Sequence, residues 1–350
     1  MSILIKLLLA ILIFGILVIS HEFGHLLIAK ANGIKVNEFW VGFGPKIVSF
    51  QMHDTLYRIN IFPLGGGCLF DNMDPDHLEE STFRNAPVFA RIATVIAGPV
   101  FNFILAFILA LFVVGADGYP TAKLIDITPG SPAEEAGLKA GDEIVKFNSS
   151  SVHMFSEVTL LTMFSDGREA TIEFLRNGEK YKVKLSPKYN EEYGRYMFGI
   201  VGGDYDTKIT PLKSIKYAYF YVIYEVRSVV KSLEWLVAGK LSAQELSGPI
   251  GVATIVSDEY DYAKEAGGTL AVVLTMLSLG SLLSANLGAM NLLPIPGLDG
   301  GKLLLLIVEA FRRKPLSPKT EGAINLLGVV MLIAIMAFAM YNDISRLIMR

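Results

Sequence analysis

Cysteine, histidine and charged residues are all scarce in this 350-residue sequence. Its single cysteine, Cys68, has no partner for an internal disulfide, so we expect a small, buried, unreactive side chain there. Charged residues make up 19% of the chain, below the roughly 25% that is usual in soluble domains. The net charge is only -3 and no basic run is long enough to bind a phosphate backbone, so we expect no nucleic-acid partner.

Apolar residues, by contrast, account for 52% of the sequence. Four stretches approach the length of about 20 residues that a helix needs to cross a bilayer. They cover roughly residues 3–20, 92–115, 268–292 and 322–341. No A-x-A-like cleavage site follows the first stretch, so we interpret it as a membrane span and not as a signal peptide. The sequence therefore predicts an α-helical integral membrane protein in a lipid bilayer, with about four transmembrane helices.

The connection between the third and fourth spans sets the expected orientation. Basic residues outnumber acidic ones there: Lys302, Arg312, Arg313, Lys314 and Lys319 against Glu309 and Glu321. Short positive loops stay in the cytoplasm. For a multi-pass protein of the cell's inner membrane, we therefore expect residues 30–91 on the cytoplasmic side, and residues 116–267 and both termini outside.

Residues 121–202 alternate short β-branched or aromatic runs with turn signals, which predicts a small, mostly-β module. Within it, SPAEEAGLKAGDEIVKFN (131–148) resembles the PDZ family. PDZ domains bind extended peptides by adding a strand to a sheet edge, so the resemblance implies a peptide or protein ligand. A PDZ-like fold that acts only as a spacer or steric plug is the alternative.

Residues 211–238 mix aromatic side chains with Lys and Arg at helical spacing. Such a helix fits the membrane interface, where its rings lie at the level of the lipid headgroups. We do not expect a fifth span here, because charged side chains at bilayer depth are costly. Charged residues within the stretch include Glu225, Arg227, Lys231 and Glu234.

The strongest chemical signal is His21-Glu22-Phe23-Gly24-His25, at the end of the first span. Residues four apart lie on one face of a helix, so both imidazoles reach one metal ion while Glu22 projects beside them. This is the spacing of zinc metalloproteases, in which the glutamate is the general base. A pair of helix-surface histidines is the weaker interpretation, because ionisable groups at bilayer depth are usually functional.

A catalytic zinc site normally has three protein ligands, so the sequence should supply a third. The remaining histidines, His53, His77 and His153, lie in polar segments without a companion motif. We favour Asp299, because the Pro- and Gly-broken segment NLLPIPGLDGG (291–301) interrupts an apolar stretch, and broken helix in a membrane usually lines a polar site. The alternative role for Asp299 is an N-cap of the helix that follows.

Three motifs taken together identify a family: HEFGH in the first span, GPVFN (98–102) in the second and NLLPIPGLDGG (291–301) in the third. Their combination resembles the site-2 protease family of intramembrane zinc metalloproteases, and more closely its bacterial branch, the regulator of sigma-E protease. VGFGPKI (41–47), PLGGG (63–67) and SGPIGVA (247–253) agree with it. One departure is that the best-known members carry two tandem PDZ domains, whereas this sequence has room for one.

The resemblance implies roles for individual residues. His21, His25 and Asp299 match the zinc ligands, and Glu22 matches the catalytic glutamate. Substrate binding is implied for Asn291, Pro294, Gly66 and Gly67, while Asn102 either positions substrate or makes a structural hydrogen bond. Segment 36–67 matches a membrane-associated β region whose edge holds the substrate as an extended strand.

The implied reaction is hydrolysis of peptide bonds within or near the transmembrane segment of single-span membrane proteins. Anti-sigma factors and leftover signal peptides are the implied substrates, after a first cut has removed their outer part. A membrane-bound zinc chaperone or scaffold without hydrolytic activity is the alternative, and Glu22 distinguishes the two because a binder needs no base beside its metal. A metal-ion transporter would need more polar ligands within the membrane.

These assignments give the expected domain order. The domains are helix 1 with HExxH (1–31), a cytoplasm-side membrane-associated β region and loop (32–91), helix 2 (92–115), the PDZ-like domain (116–205), an amphipathic or interfacial helical segment (206–267), helix 3 with the LDG motif (268–299), a cytoplasmic basic loop or helix (300–320), and helix 4 with the tail (321–350).

Overall fold

The computed structural model describes residues 3–70, 82–240 and 247–349. Within these ranges four helices are long and apolar enough to cross a membrane, which confirms the expected number of spans. They are α1 (Ile3–Ala31), α3 (Val88–Asp117), α7 (Pro249–Asn291) and α9 (Pro318–Met349).

The chain divides into two compact units. The membrane unit consists of Met1–Leu109 and Leu233–Arg350, and the inserted unit consists of Ala110–Ser232. The inserted unit is longer than the PDZ-like domain expected at 116–205, because it includes the end of α3 and most of α6 (Pro211–Val237).

Helix α7 is longer than the third span that hydropathy predicts, 268–292. It contains a break at Gly268, where φ is +68° and ψ is -148°, a backbone region that is open essentially to glycine alone. The predicted span begins at this break, but the helix continues on the N-terminal side to Pro249. An ion pair between Lys6 of α1 and Asp261 joins this N-terminal arm to the first span.

The expected membrane-associated β region is a long, curled hairpin of β1 (Val36–Met52) and β2 (Thr55–Phe70). Residues 38–41 of β1 pair with residues 56–59 of β2 on one side and with residues 66–69 on the other. Among the described residues, 66–69 pair on one side only, so this part of β2 is a sheet edge. The hairpin packs against α1 through a small apolar core: Leu26, Ala29, Ile34, Val36 and Phe39.

Two contacts join α2 (Thr82–Asn85) and the start of α3 to the region after the third span, which contains α8 (Asp299–Arg312). The buried guanidinium of Arg91 binds Glu309 with two parallel hydrogen bonds of 3.0 and 2.5 Å. Bidentate Arg–carboxylate pairs of this kind are strong and directional. Arg84 donates to the carbonyl oxygen of Leu316 at 3.1 Å.

Helices α3 and α7 are joined by buried hydroxyl groups. Ser281 Oγ donates to the carbonyl oxygen of Ala106 at 3.1 Å, and Ser284 Oγ donates to that of Asn102 at 2.8 Å. Small residues and short hydrogen bonds of this type are typical of helix contacts within membranes. They hold the backbone of α3 at Asn102.

Helix α9 caps the start of α7. The buried carboxylate of Asp343 accepts hydrogen bonds from the backbone N–H groups of Gly248 at 3.1 Å and of Gly251 at 2.8 Å. The N-cap residue, Gly248, has no side chain to do this itself. Because the first N–H groups of a helix lack partners and carry partial positive charge, a carboxylate stabilises them.

The inserted unit is built on a four-stranded antiparallel sheet in the order β6-β5-β7-β8. Its strands are β5 (Glu143–Phe147), β6 (Ser150–Ser151), β7 (Ala170–Arg176) and β8 (Glu179–Leu185). Three short pairs complete it: β3 (Tyr119–Pro120) with β12 (Tyr205–Asp206), β4 (Leu124–Ile127) with β11 (Ile200–Gly202), and β9 (Lys188–Asn190) with β10 (Arg195–Met197). Two short helices, α4 (Pro132–Glu135) and α5 (Phe155–Met163), make this the expected PDZ-like module.

An apolar core fills the PDZ-like module, with its largest members fully buried: Leu124, Ile144, Phe147, Ile172, Phe174 and Phe198. Helix α6 is fastened to the strands by an ion pair of 2.8 Å from Lys213 to Asp206 and to α5 by one of 2.7 Å from Arg227 to Glu157. The segment predicted at 206–267 is therefore two helices, α6 and the N-terminal arm of α7, and its residues 241–246 lie outside the described ranges.

Candidate metal centre

Helix α1 carries two imidazoles that point to one spot. His21 and His25 are one turn apart on the same helical face, and both are more than nine-tenths buried. Their Nε2 atoms are 3.2 Å apart. The two side chains therefore offer one pair of donors, as their spacing predicts.

Asp299 brings a carboxylate to the same spot from α8. Its Oδ2 atom lies 3.0 Å from His21 Nε2 and 3.3 Å from His25 Nε2. The N-cap of α8 is Leu298, and Asp299 is the first helical residue, so the alternative capping role is wrong. The carboxylate faces the imidazoles because the Pro- and Gly-rich connection 292–298 turns the chain back between α7 and α8.

The three donors fit a zinc ion. Bonds of about 2.0–2.1 Å at tetrahedral angles separate zinc ligands by about 3.3 Å, and the three separations here are 3.0, 3.2 and 3.3 Å. Asp299 Oδ2 is buried and, within the described residues, receives no hydrogen bond of good geometry although both Nε2 atoms are near it. Two imidazoles and one carboxylate also leave a fourth coordination position for water.

Helix α3 holds each imidazole at its other nitrogen. His25 Nδ1 donates to the carbonyl oxygen of Thr94 at 2.8 Å, which leaves the Nε2 lone pair facing the centre. His21 Nδ1 lies 3.1 Å from Nδ2 of Asn102. Asn102 is fully buried, so of its two expected roles the structure favours hydrogen bonding over direct contact with substrate.

Gly98 allows α3 to come this close to the metal centre. A Cβ atom at this position would lie 2.6 Å from Cε1 of His25 and 2.8 Å from Cε1 of His21, closer than carbon atoms approach in proteins. The motif GPVFN supported the family resemblance, but it did not predict that Gly98 lies against the two imidazoles. Thr94 was also missed, because it acts through its backbone carbonyl and no side-chain signal exists for that.

Glu22 lies beside the ligands and under the edge of β2. It is half-buried. A Cβ atom on Gly66 would lie 3.2 Å from Glu22 Cγ, so this glycine lets β2 pass close to the carboxylate. Cys68 Sγ donates to the Glu22 carbonyl oxygen at 3.3 Å, and burial raises the pKa of the Cys68 thiol, which keeps it protonated and unreactive.

The residues expected to bind substrate lie in three places. Gly66 and Gly67 are in the edge segment of β2, with Gly67 against the indole of Trp40. Asn291 is the last residue of α7, and Pro294 is exposed in the connection to α8. Their contacts with substrate stay predictions.

The other histidines are not near these donors in the described chain. His53 lies in the turn of the β hairpin, and His153 pairs with Glu157 within the inserted unit. His77 lies outside the described residues.

Known proteins are similar to this chain over almost its whole length. The sequence profile of peptidase family M50 matches residues 9–335. A relative from Clostridium acetobutylicum is 33% identical over 335 residues, covering 96% of each chain. The regulator of sigma-W protease RasP from Bacillus subtilis is 29% identical over 420 aligned positions, and the zinc metalloprotease RasP from Bacillus licheniformis is 30% identical over 427. These alignments cover 96% of this chain and 97% and 98% of the relatives.

Among solved structures, the crystal structure of the PDZ domain of an SdrC-like protein from Listeria monocytogenes is similar at 18% identity and a TM-score of 0.21. It covers 23% of this chain and 86% of the other. The family match spans nearly the whole chain and includes the metal centre. The chain therefore belongs to peptidase family M50, the site-2 protease family, and is a membrane-embedded zinc metalloprotease.

Proposed function

We propose that the protein is an intramembrane protease that hydrolyses peptide bonds within or near the transmembrane segment of single-span membrane proteins. His21, His25 and Asp299 are its zinc ligands, and Glu22 is its general base. The observation that carries this proposal is the convergence of three buried donors, 3.0 to 3.3 Å apart, beside Glu22 in the membrane unit.

The chemistry divides between the ion and the chain. When bound, zinc supplies a Lewis acid that polarises the scissile carbonyl and lowers the pKa of a water molecule. Glu22 takes a proton from that water as it attacks the carbonyl carbon, and then passes the proton to the nitrogen of the leaving amine as the C–N bond breaks. His21, His25 and Asp299 contribute by holding their donors in a fixed, preorganised arrangement.

Substrate binds as an extended strand on the edge of β2. A transmembrane substrate helix hides its amides in internal hydrogen bonds, so it has to unwind before water reaches a peptide bond. The free edge of residues 66–69 offers replacement hydrogen bonds directly beside Glu22. Gly66 and Gly67 have no side chains, so a substrate strand is able to lie close to this edge. Asn291 and Pro294 contact the substrate backbone.

The proposed substrates are proteins that cross the membrane once, such as anti-sigma factors or remnant signal peptides, after a first cut has removed their outer part. The name of the Bacillus subtilis relative, a regulator of sigma-W protease, supports this class.

The metal centre faces the cytoplasmic side of the inner membrane, and the PDZ-like unit lies outside. The positive residues between the third and fourth apolar stretches support this orientation. Further support comes from Arg91 and Glu309, whose pairing brings the start of α3 to the end of α8, as a shared side requires.

A peptide ligand for the PDZ-like unit is the second part of the proposal. A cavity of about 120 Å³ lies between α5 and strands β10 and β11. Its lining combines apolar side chains with polar ones: Phe155, Val158, Met163, Met197 and Ile200 with Thr159, Thr162 and Arg195. An apolar side chain of an extended peptide fits this cavity. Replacing the half-exposed Met163 with Lys should abolish binding of such a peptide by the full-length protein, whereas unchanged binding or no binding by the wild type favours the spacer or plug interpretation.

The experiment for the protease is cleavage, in detergent, of a single-span substrate that carries a different tag at each end. We expect two fragments whose new termini, read by mass spectrometry, lie within or next to the apolar segment. A chelator should stop the reaction and added zinc should restore it. Zinc binding without cleavage of several such substrates would instead support the chaperone or scaffold alternative.

A further inference from the structure

We propose that Asn102 is a positioning residue that sets the tautomer of His21 and thereby contributes to zinc affinity. The inference rests on the proposed function, because it takes His21 as a zinc ligand. Its starting point is a fully buried amide whose Nδ2 atom lies 3.1 Å from His21 Nδ1. The amide oxygen, Asn102 Oδ1, is also buried and has no hydrogen-bond partner within the described residues.

The partner of His21 Nδ1 decides whether Nε2 is able to bind a metal. A neutral imidazole carries one N–H, so one ring nitrogen donates and the other accepts. If Nδ2 of Asn102 donates to Nδ1, the imidazole proton is on Nε2, which then has no lone pair for zinc. If Oδ1 of Asn102 instead accepts from Nδ1–H, the Nε2 lone pair is free to face His25 and Asp299.

An amide is able to serve both tautomers because a half-turn about χ2 exchanges its oxygen and nitrogen at nearly the same positions. The unpaired Oδ1 of Asn102 is the acceptor that the metal-binding tautomer of His21 requires. His25 differs, since its Nδ1 partner is the carbonyl oxygen of Thr94, which only accepts. His21 is therefore the ligand whose tautomer depends on a side chain.

The seam between α3 and α7 keeps Asn102 in place for this task. Ser284 Oγ donates to the backbone carbonyl oxygen of Asn102 at 2.8 Å. Ser281 makes the equivalent hydrogen bond to the backbone carbonyl oxygen of Ala106, one helical turn further along α3. Ala106, unlike Asn102, has no side chain that hydrogen-bonds to His21. Ser281→Ala is therefore a matched control, because it weakens the same seam but leaves the partner of His21 unchanged.

The test measures the zinc dissociation constant by competition with a chromogenic chelator, together with the absorption spectrum of the cobalt-substituted protein. Asn102→Leu keeps the number and branching of the side-chain heavy atoms and removes both the donor and the acceptor, so we expect its zinc dissociation constant to rise by about 10–100-fold. Asn102→Asp keeps an acceptor at the same place, so its zinc affinity should equal or exceed that of the wild type. Ser281→Ala should bind zinc as the wild type does.

Two results would overturn the inference. One is wild-type zinc affinity and an unchanged cobalt spectrum in Asn102→Leu. The other is weaker zinc binding in a folded Asn102→Asp, which decides the matter alone if Asn102→Leu does not fold. Zinc binding is measured without substrate, so this test is independent of proteolysis. A wild-type protein that binds zinc but cuts no substrate would refute the proposed proteolytic function. The zinc affinities of the variants would still decide the role of Asn102.

Discussion

Gly98 of α3 lies directly against the imidazole of His25 on α1, so that a Cβ atom there would be 2.6 Å from His25 Cε1. Gly98→Ala should therefore push α1 and α3 apart or rotate the ligands. Overpacking of this kind costs about 1–3 kcal/mol, and we expect a loss of zinc affinity of about tenfold or more. The check is a zinc titration of the purified variant.

Gly115→Ala is the matched control for this substitution. It lies on the same helix, and the nearest atom to a new Cβ would be Ser214 Oγ at 3.8 Å, an ordinary contact. Its zinc affinity should be unchanged. Equal zinc affinities in Gly98→Ala and Gly115→Ala would contradict the close packing described here.

Gly66→Ala tests the approach of β2 to Glu22. The new methyl group would lie 2.8 Å from the carbonyl oxygen of Trp40 and 3.2 Å from Glu22 Cγ, so β2 has to shift away from the base. We expect slower cleavage with little change in zinc content, measured side by side with Gly322→Ala, a helical position with open space. Slower cleavage in both variants would mean that the edge of β2 has no special role.

Asp343→Ala should destabilise the start of α7. It removes both hydrogen bonds to the N–H groups of Gly248 and Gly251, and hydrogen bonds to a charged group are worth about 1.5–3 kcal/mol. Asp343→Asn retains one acceptor, so the stability of the start of α7 should lie between that of the alanine variant and that of the wild type. Hydrogen exchange of the first amides of α7 measures this directly, and unchanged protection in Asp343→Ala would show that the cap does not stabilise the helix.

The ion pair of Asp206 with Lys213 predicts a pH dependence for the inserted unit. The Lys213 ammonium donates to Asp206 and holds the pKa of that carboxyl below its usual range. A lowered carboxyl pKa adds stability above the unfolded value of about 4, and this stability is lost as the pH falls through the folded pKa. Asp206→Asn should therefore weaken hydrogen-exchange protection in β12 near pH 7 but not in strong acid.

Glu191→Gln, which removes an exposed carboxylate of the same unit, serves as the control for Asp206→Asn. It should leave protection in β12 unchanged at both pH values. A loss of protection in Asp206→Asn that is equally large in strong acid would exclude the ion pair as its cause.

The spans and two of the three candidate metal ligands were predictable because each has a strong local signal. Long apolar runs mark the membrane helices, and the spacing of His21 and His25 follows from helical geometry alone. Asp299 required a second argument, since nothing in local sequence says that α8 turns back to α1. That argument was the broken apolar segment 291–301, in which an unpaired carboxylate is energetically unfavourable.

The remaining features depend on contacts that are distant in sequence. Asp258 and Glu259 lower the hydropathy of the N-terminal arm of α7, so the helix looked shorter than it is. The extent of the inserted unit depends on α6, whose Tyr217 stacks on Tyr119 with the ring centroids 3.4 Å apart. The roles of Thr94 and Gly98 arise only when α3 packs on α1. No local sequence pattern in either helix predicts that they pack together.

The most direct test of the account compares the wild type with Glu22→Gln for zinc content and for cleavage of a tagged single-span substrate in the same preparation. Glutamine keeps the size of the side chain and leaves His21, His25 and Asp299 in place, but it does not take a proton from water. We predict one zinc ion in both proteins and cleavage by the wild type alone. Equal cleavage by both proteins would contradict the assignment of Glu22 as the base.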